Sequence, residues 1–211
     1  AVIQLEPKTI QLTRSLPGRV SAFRQSQVRP QVAGIITDRL FEEGSYVKQG
    51  QQLYQIDAAR YQAALASAEA DLRSVRSNIK FIESRTRRYQ QLVKSGSVSQ
   101  QEYEDVQIQL DQARAEEAVA QAAVDVAKVN LSYTKVYAPI AGRIGRSLVS
   151  EGALVTANQG EPLTVITQLN PIYIDMQQSS IEAISLRSQK GDRDSIPVNL
   201  MLGDNNSHQY P

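Results

Sequence analysis

Residues 32–47 (VAGIITDRLFEEGSYV) and residues 140–155 (IAGRIGRSLVSEGALV) are two versions of one sequence. Gly34 answers Gly142, Glu43 and Gly44 answer Glu151 and Gly152, and Val47 answers Val155, all at one offset. After a two-residue insertion the correspondence resumes, with Gly50, Leu53 and Ile56 read against Gly160, Leu163 and Ile166. The stretch between the copies carries a different period. Two halves of one small β-domain, rich in short apolar runs and glycine turns, are therefore separated by an inserted element. Gly34, Gly44, Gly50, Gly142, Gly152 and Gly160 are read as the turns of this repeat, where glycine supplies backbone conformations that other residues resist.

The inserted element, residues 58–131, is helical. Tyr61, Leu65, Ala68, Leu72, Val75, Ile79, Ile82, Thr86, Tyr89 and Val93 alternate in steps of four and three without Gly or Pro, which is a coiled-coil seam. Ser95, Gly96 and Ser97 break it. Ser99 with Glu102 three residues on forms a capping box that starts a second helix. That helix repeats the spacing through Tyr103, Val106, Leu110, Ala113, Glu117, Ala120, Val124, Ala127 and Leu131. The seams are mirror images: Tyr61 with Leu131, Leu72 with Ala120 and Tyr89 with Tyr103 each sum to 192, which puts the fold point at Gly96. Large residues mostly face small ones, as interdigitation requires. An antiparallel hairpin follows, with its tip at 95–98 and arms of roughly 55 Å at 1.5 Å per residue. Glu117 is the one charged seam position, with Arg76 or Arg114 in reach to neutralise it.

On either side of this arrangement the chain returns to β. Residues 3–29 alternate polar and apolar around Pro17 and Gly18, which suggests two strands and a turn. Strands are expected near 172–176 and 198–202, a short helix near 180–188, and a polar, turn-rich tail over 203–211. The fold class is thus α+β, elongated and modular: a helical hairpin (58–131) inserted between the two halves of a small β-domain (28–57 and 132–168), flanked by further β segments (1–27 and 169–211).

The composition offers no chemistry to set against this. Net charge is +1, which favours neither nucleic acid nor an acidic substrate. Cysteine is absent, so there are no disulfides or thiolate metal sites, and the only histidine is His208 in the tail. No Ser-His-Asp set is present, and the Gly-x-x-Gly of Gly142 and Gly145 lacks the Lys-Ser/Thr of a phosphate loop. No cofactor, metal or catalytic residue is expected. No apolar run is long enough to span a membrane.

The paired half-motifs with Glu-Gly turns look like a biotinyl or lipoyl carrier domain. In that family a modified Lys sits between the halves. Here the junction reads Gln55-Ile56-Asp57-Ala58-Ala59-Arg60, with no Lys, and the hairpin takes its place.

A lipoyl-like domain split by a helical hairpin and flanked by β segments resembles the membrane fusion proteins, the periplasmic adaptors of tripartite efflux pumps. The resemblance is to the AcrA/MexA type, which serves resistance-nodulation-division (RND) multidrug transporters. It is carried across the chain by LPGR at 16–19, VRPQVAGII at 28–36, LYQID at 53–57, LSYTKV at 131–136, APIAGRIG at 138–145 and NPIYID at 170–175. The family also has a tip signature of an Arg, a Leu four later and a Ser seven after that. Arg88, Leu92 and Ser99 match it.

The resemblance implies that 28–57 and 132–168 form a lipoyl-like domain and 1–27 and 169–211 an incomplete β-barrel, in a non-enzymatic adaptor in the periplasm of a Gram-negative bacterium, attached to the inner membrane. Arg88, Leu92 and Ser99 would meet a TolC-type outer membrane channel. The barrel and a membrane-proximal region would meet the RND transporter, and copies would assemble as a trimer or hexamer ring. An intra-hairpin salt bridge to Glu104 or Asp105 is the alternative role for Arg88, and helix capping that for Ser99. The lipidated Cys or membrane anchor and the later β segments of the family are not in this sequence, which reads as a trimmed form. An adaptor for an ABC exporter or a metal-efflux pump shares the fold, and the lack of Met and His clusters argues against metal handling.

Overall fold

The computed structural model describes residues 15–179 and the backbone of 198–202 and 206–210. The chain forms two compact units: Ala22–Pro171, and Ala1–Ser21 together with Ile172–Pro211.

The repeat, joined by the strand before it, builds two four-stranded sheets. One has the order β5-β4-β2-β7, from Lys135–Tyr137, Gln52–Ile56, Gly34–Arg39 and Leu154–Val155. The other has the order β1-β8-β6-β3, from Gly18–Val28, Thr164–Met176, Gly142–Ile144 and Tyr46–Val47. Each half lends its two-residue strand to the other half. β3 pairs with β6 in the register Val47 to Gly142, and β7 pairs with β2 in the register Val155 to Gly34. The exchange is reciprocal in its hydrogen bonds. Gly44 N–H donates to the Ile144 carbonyl at 3.0 Å, and Gly152 N–H donates to the Ile36 carbonyl at 2.8 Å.

The repeated Glu does the same work twice. Glu43 Oε1 accepts from the Ser147 N–H at 3.0 Å, and Glu151 Oε1 accepts from the Arg39 N–H at 3.2 Å. Each carboxylate thus satisfies a backbone donor of the opposite half, which explains why both copies carry Glu before the turn glycine. Val47, Leu53, Ile56, Val155, Leu163 and Ile166 close the interior, none more than 1% exposed. Each such side chain contributes about 1.5–3 kcal/mol relative to leaving it in water. Tyr54 is buried among them, hydrogen-bonded to Ser147 Oγ at 2.7 Å and packed edge-on to Phe41. Burial pushes its phenol pKa up, against the opposing effect of the Ser147 hydrogen bond.

The glycines divide by role. Gly44 and Gly152 have φ of 76° and 84°, and Gly50 has 78°, so these three sit in left-handed turns. Gly34 and Gly142 are not turns: they open β2 and β6, where a Cβ would meet Ile56 Cγ2 or the Thr167 carbonyl oxygen at 2.6 Å. Gly160 is not a turn of the left-handed kind either, and the space a Cβ would occupy there is open. The counterpart of Gly50 is Asn158, with φ of 53°. The flanking contacts repeat: Gln51 Oε1 accepts from Lys48 N–H at 3.1 Å, and Gln159 Oε1 accepts from Thr156 N–H at 3.1 Å. The original offset therefore runs through Gln51 and Gln159, and the insertion follows it, taking in Gly160.

The hairpin leaves the domain between β4 and β5. Helix α1 is Ala59–Lys94 and α2 is Gln100–Ser132, with 36 and 33 residues. Every seam position from Tyr61 to Val93 and from Tyr103 to Leu131 is buried or half-buried, and the flanking positions are mostly exposed. Glu117 is held by Arg76 at 2.7 Å, while Arg114 pairs instead with Glu83 at 3.4 Å. At the base, Tyr61 joins the β-domain core and donates to the Ala33 carbonyl at 2.7 Å. Asp57 Oδ1 accepts from the Ala59 N–H at 2.9 Å, satisfying one of the first free donors of α1.

In the smaller unit, Ser21 Oγ donates to Asp175 Oδ2 at 2.7 Å. β9 (Val198–Leu202) and β10 (Asn206–Tyr210) form an antiparallel pair in the register Leu202 to Asn206. Most of the tail expected to be turn-rich is thus strand. Polar alternation with a single partner strand leaves no hydrophobic period to read. The residue 172–176 strand is the second part of β8. The first strand expected within 3–29, before Gly18, and the helix expected at 180–188 lie outside the described residues.

Candidate functional site

The hairpin tip is built by two capping devices. At the end of α1, Gly96 takes φ of 69°, its N–H donates to the Val93 carbonyl at 3.0 Å, and the Ser97 N–H donates to the Leu92 carbonyl at 2.9 Å. This pairing ends the helix in a Schellman turn. Ser95 Oγ also donates to the Leu92 carbonyl at 2.9 Å. At the start of α2, the Glu102 N–H donates to Ser99 Oγ at 3.2 Å, and Glu102 Oε2 accepts from Ser99 N–H at 2.8 Å. These two hydrogen bonds complete the capping box. Donation from the Ser99 backbone N–H first, and from the Ser99 hydroxyl next, holds the Glu102 carboxyl below its ordinary pKa. Both helix ends at the tip are therefore capped from within the tip, and its side chains stand on a fixed frame.

Arg88 is exposed and takes part in no ion pair among the described residues. The salt bridge to Glu104 does not form: Glu104 accepts from Gln100 Nε2 at 2.9 Å instead. Leu92 follows Arg88 by four residues, so both lie on one face of α1, with Leu92 half-buried rather than fully exposed. Ser99 is exposed, but its hydroxyl already donates to Glu102 Oε2 at 3.0 Å and accepts from the Glu102 N–H. What it retains for a partner is one acceptor lone pair. Arg85 stacks over the Tyr89 ring at 5.4 Å, a contact that their i, i+4 spacing on α1 permits. The tip thus offers a free guanidinium with five donors, a half-buried apolar side chain one turn further on, and a single hydroxyl acceptor. That set suits recognition of a polar protein surface rather than bond chemistry.

No helix among the described residues is long and apolar enough to cross a membrane.

Residues 24–167 match the sequence family described as the RND MFP barrel-sandwich hybrid domain. Among curated relatives, the antibiotic efflux pump periplasmic linker protein ArpA of Pseudomonas putida is 47% identical over 96% of this chain and 53% of its own length. The multidrug resistance protein MexA of Pseudomonas aeruginosa is 45% identical over 100% of this chain and 52% of its own. The multidrug efflux pump subunit AcrA of Escherichia coli is 45% identical over 96% and 53%. The chain spans about half the length of these relatives. Among solved structures, a MacA–MexA chimera carrying the Pseudomonas aeruginosa MexA α-hairpin domain superposes with a TM-score of 0.62 at 30% identity, over 92% of this chain and 63% of the other. The membrane fusion protein Spr0693 of Streptococcus pneumoniae R6 gives 0.67 at 18%, over 91% and 81%, which speaks for the fold. With two interlocked half-repeats and a hairpin between them, the chain belongs to the RND membrane fusion proteins with a barrel-sandwich hybrid domain.

Proposed function

We propose that this chain is the hairpin-bearing part of a periplasmic adaptor joining an inner membrane RND multidrug/proton antiporter to a TolC-type outer membrane channel, for efflux of drugs and toxic compounds. The observation that carries this reading is the tip: Arg88 is unpaired beside Leu92 on a frame capped at both helix ends. A lever of that length with a rigid, recognition-ready end suits bridging. The names of the relatives, periplasmic linker proteins of efflux pumps, support it. The adaptor is non-enzymatic. It seals the conduit and transmits conformational change, and the energy for transport comes from the antiporter. The β-domain serves as a clasp that holds the hairpin base, and the barrel segments, with parts of the protein outside this chain, meet the transporter. It works in the periplasm of a Gram-negative bacterium, attached to the inner membrane, as a trimer or hexamer ring. Arg88, Leu92 and Ser99 contact the channel, with Ser99 acting only as an acceptor while its cap is intact.

The test is affinity for an isolated TolC-type channel, measured by surface plasmon resonance. Arg88→Glu and Leu92→Asp are each expected to weaken binding at least tenfold with helicity unchanged. Wild-type affinity in both variants would remove the tip from the interface.

A further inference from the structure

The turn between the helices, residues 95–99, has a hydrogen-bond polarity that its run of serines does not announce. Each serine hydroxyl carries one proton and two acceptor lone pairs. Ser95 Oγ donates its proton to the Leu92 carbonyl at 2.9 Å, since a carbonyl can only accept. The 3.0 Å contact between Ser95 Oγ and Ser97 Oγ therefore takes its proton from Ser97. Ser99 Oγ donates to the Glu102 carboxylate at 3.0 Å. All three protons are thus committed within the tip. For a partner, Ser95 keeps one lone pair, Ser97 two, and Ser99 one after accepting from the Glu102 N–H. The backbone has the same bias. The N–H groups of Ser95, Gly96, Ser97 and Ser99 all donate within the tip, at 3.3, 3.0, 2.9 and 2.8 Å. The carbonyls of Ser95, Gly96 and Ser97 accept nothing among the described residues. Val98 N–H is the remaining donor of the segment, and Val98 is half-buried while Ser95, Gly96, Ser97 and Ser99 are exposed.

We infer that the turn 95–99 docks against a partner surface that presents N–H donors, and not against one lined by carbonyls or carboxylates. The inference rests on the adaptor reading in taking that partner to be the end of the outer membrane channel. It divides the tip in two. Arg88 has only donors and requires acceptors of the partner, while the turn has acceptors and requires donors. Carbonyls or carboxylates set against the turn would leave oxygen facing oxygen, with water removed and no hydrogen bond formed in its place. A serine that rotated to donate outward would break its bond to Leu92, Ser95 or Glu102. The polarity is therefore held by the same contacts that cap the helix ends. Two neighbouring patches of opposite demand also discriminate between partners, because a surface uniform in either donors or acceptors mismatches one of them.

Aspartate and asparagine share a shape and differ in what they offer: ionised aspartate only accepts, and asparagine adds two N–H donors. Both cap a helix as well as serine does, so the start of α2 is kept when position 99 is changed. Ser97→Asp, Ser97→Asn, Ser99→Asp and Ser99→Asn are each measured against an isolated TolC-type channel by surface plasmon resonance, with helicity checked by circular dichroism. Ser97→Asp is expected to bind about fivefold or more tightly than Ser97→Asn, and Ser99→Asp likewise than Ser99→Asn, a charged acceptor being the stronger partner for an N–H donor. Both ratios are expected to persist as salt is raised, which screens attraction at longer range. An asparagine variant that binds as tightly as its aspartate counterpart at either position, or a ratio that vanishes with salt, would overturn the inference. Arg88→Glu is measured on the same surface. Loss of binding there, with the aspartate preference absent or reversed, removes the donor assignment and leaves the tip reading; unaltered binding in every variant removes both.

Discussion

Replacing Gly50, Asn158 and Gly160 each by alanine separates the turns the repeat needs from a glycine it merely contains. Gly50 holds φ of 78° and Asn158 holds 53°, while Gly160 lies outside the left-handed region with open space around its Cα. An L-residue with a Cβ in the left-handed conformation costs roughly 1–2 kcal/mol, and asparagine bears that cost better than alanine through local hydrogen bonding. Against it stands a gain of about 0.4–1 kcal/mol when Gly→Ala narrows the unfolded ensemble. Gly50→Ala therefore loses about 1 kcal/mol net, and Asn158→Ala, with no glycine entropy to recover, loses about 0.5–1 kcal/mol. Gly160→Ala has the opposite sign and gains about 0.5 kcal/mol, the left-handed penalty being absent. In a unit of this size 1 kcal/mol moves Tm by about 2–4 °C, so the three variants separate by direction as well as size. Thermal unfolding followed by tyrosine fluorescence, with urea unfolding in parallel, reads the difference. Gly160→Ala destabilising the chain as much as Gly50→Ala would refute the assignment of Asn158 to the turn.

Gly142→Ala places a Cβ 2.6 Å from the Thr167 carbonyl oxygen on the paired strand, so β6 must part from β8. With no side chain able to yield, a loss of about 2–4 kcal/mol in urea unfolding is expected, in the range of overpacking with broken ladder bonds. Glu117→Leu replaces the one charged seam residue, and as Arg76 is half exposed it can return to water. Stability is expected to hold or rise by about 1 kcal/mol in thermal melts, since exposed ion pairs contribute little; a loss above that would show the pair to matter more than apolar packing. The Glu102 carboxyl is held below its ordinary pKa in the folded tip. Its stabilisation of the cap is present above the unfolded value and is lost as pH falls through the lowered folded one. The Ser99 amide resonance in NMR is expected to titrate below the usual Glu range, and Glu102→Gln to abolish the titration.

The hairpin was legible because its code is one-dimensional. A 4–3 spacing from Tyr61 to Val93, its mirror from Tyr103 to Leu131, and a Ser-x-x-Glu start at Ser99 fix partners, register and cap with no tertiary information. The pairing of Glu117 with Arg76 rather than Arg114 was beyond it, because Arg114 is drawn to Glu83 across the same flank. The β-domain was legible as a repeat but not as an exchange. That β3 joins β6 and β7 joins β2 depends on how the halves close on one another, which short strands of two residues do not encode. The glycine correspondence misled at Gly160, since identity of residue is a weaker guide than the turn geometry Asn158 also accepts. At the site, Arg88, Leu92 and Ser99 were visible as a spacing. The engagement of the Ser99 hydroxyl with Glu102 in both directions, which limits what it offers a partner, required atomic positions.

The central claim is that recognition resides at the end of the hairpin, far from the repeat. Site-specific photocrosslinking in the cell envelope tests it most directly, with a photoreactive residue at Leu92 and, as control, at Ser77 on the outer face of mid-α1. The account predicts crosslinks to the outer membrane channel from position 92 and none from position 77. Channel crosslinks from position 77 in equal yield, or none from position 92 while the pump is assembled, would contradict it.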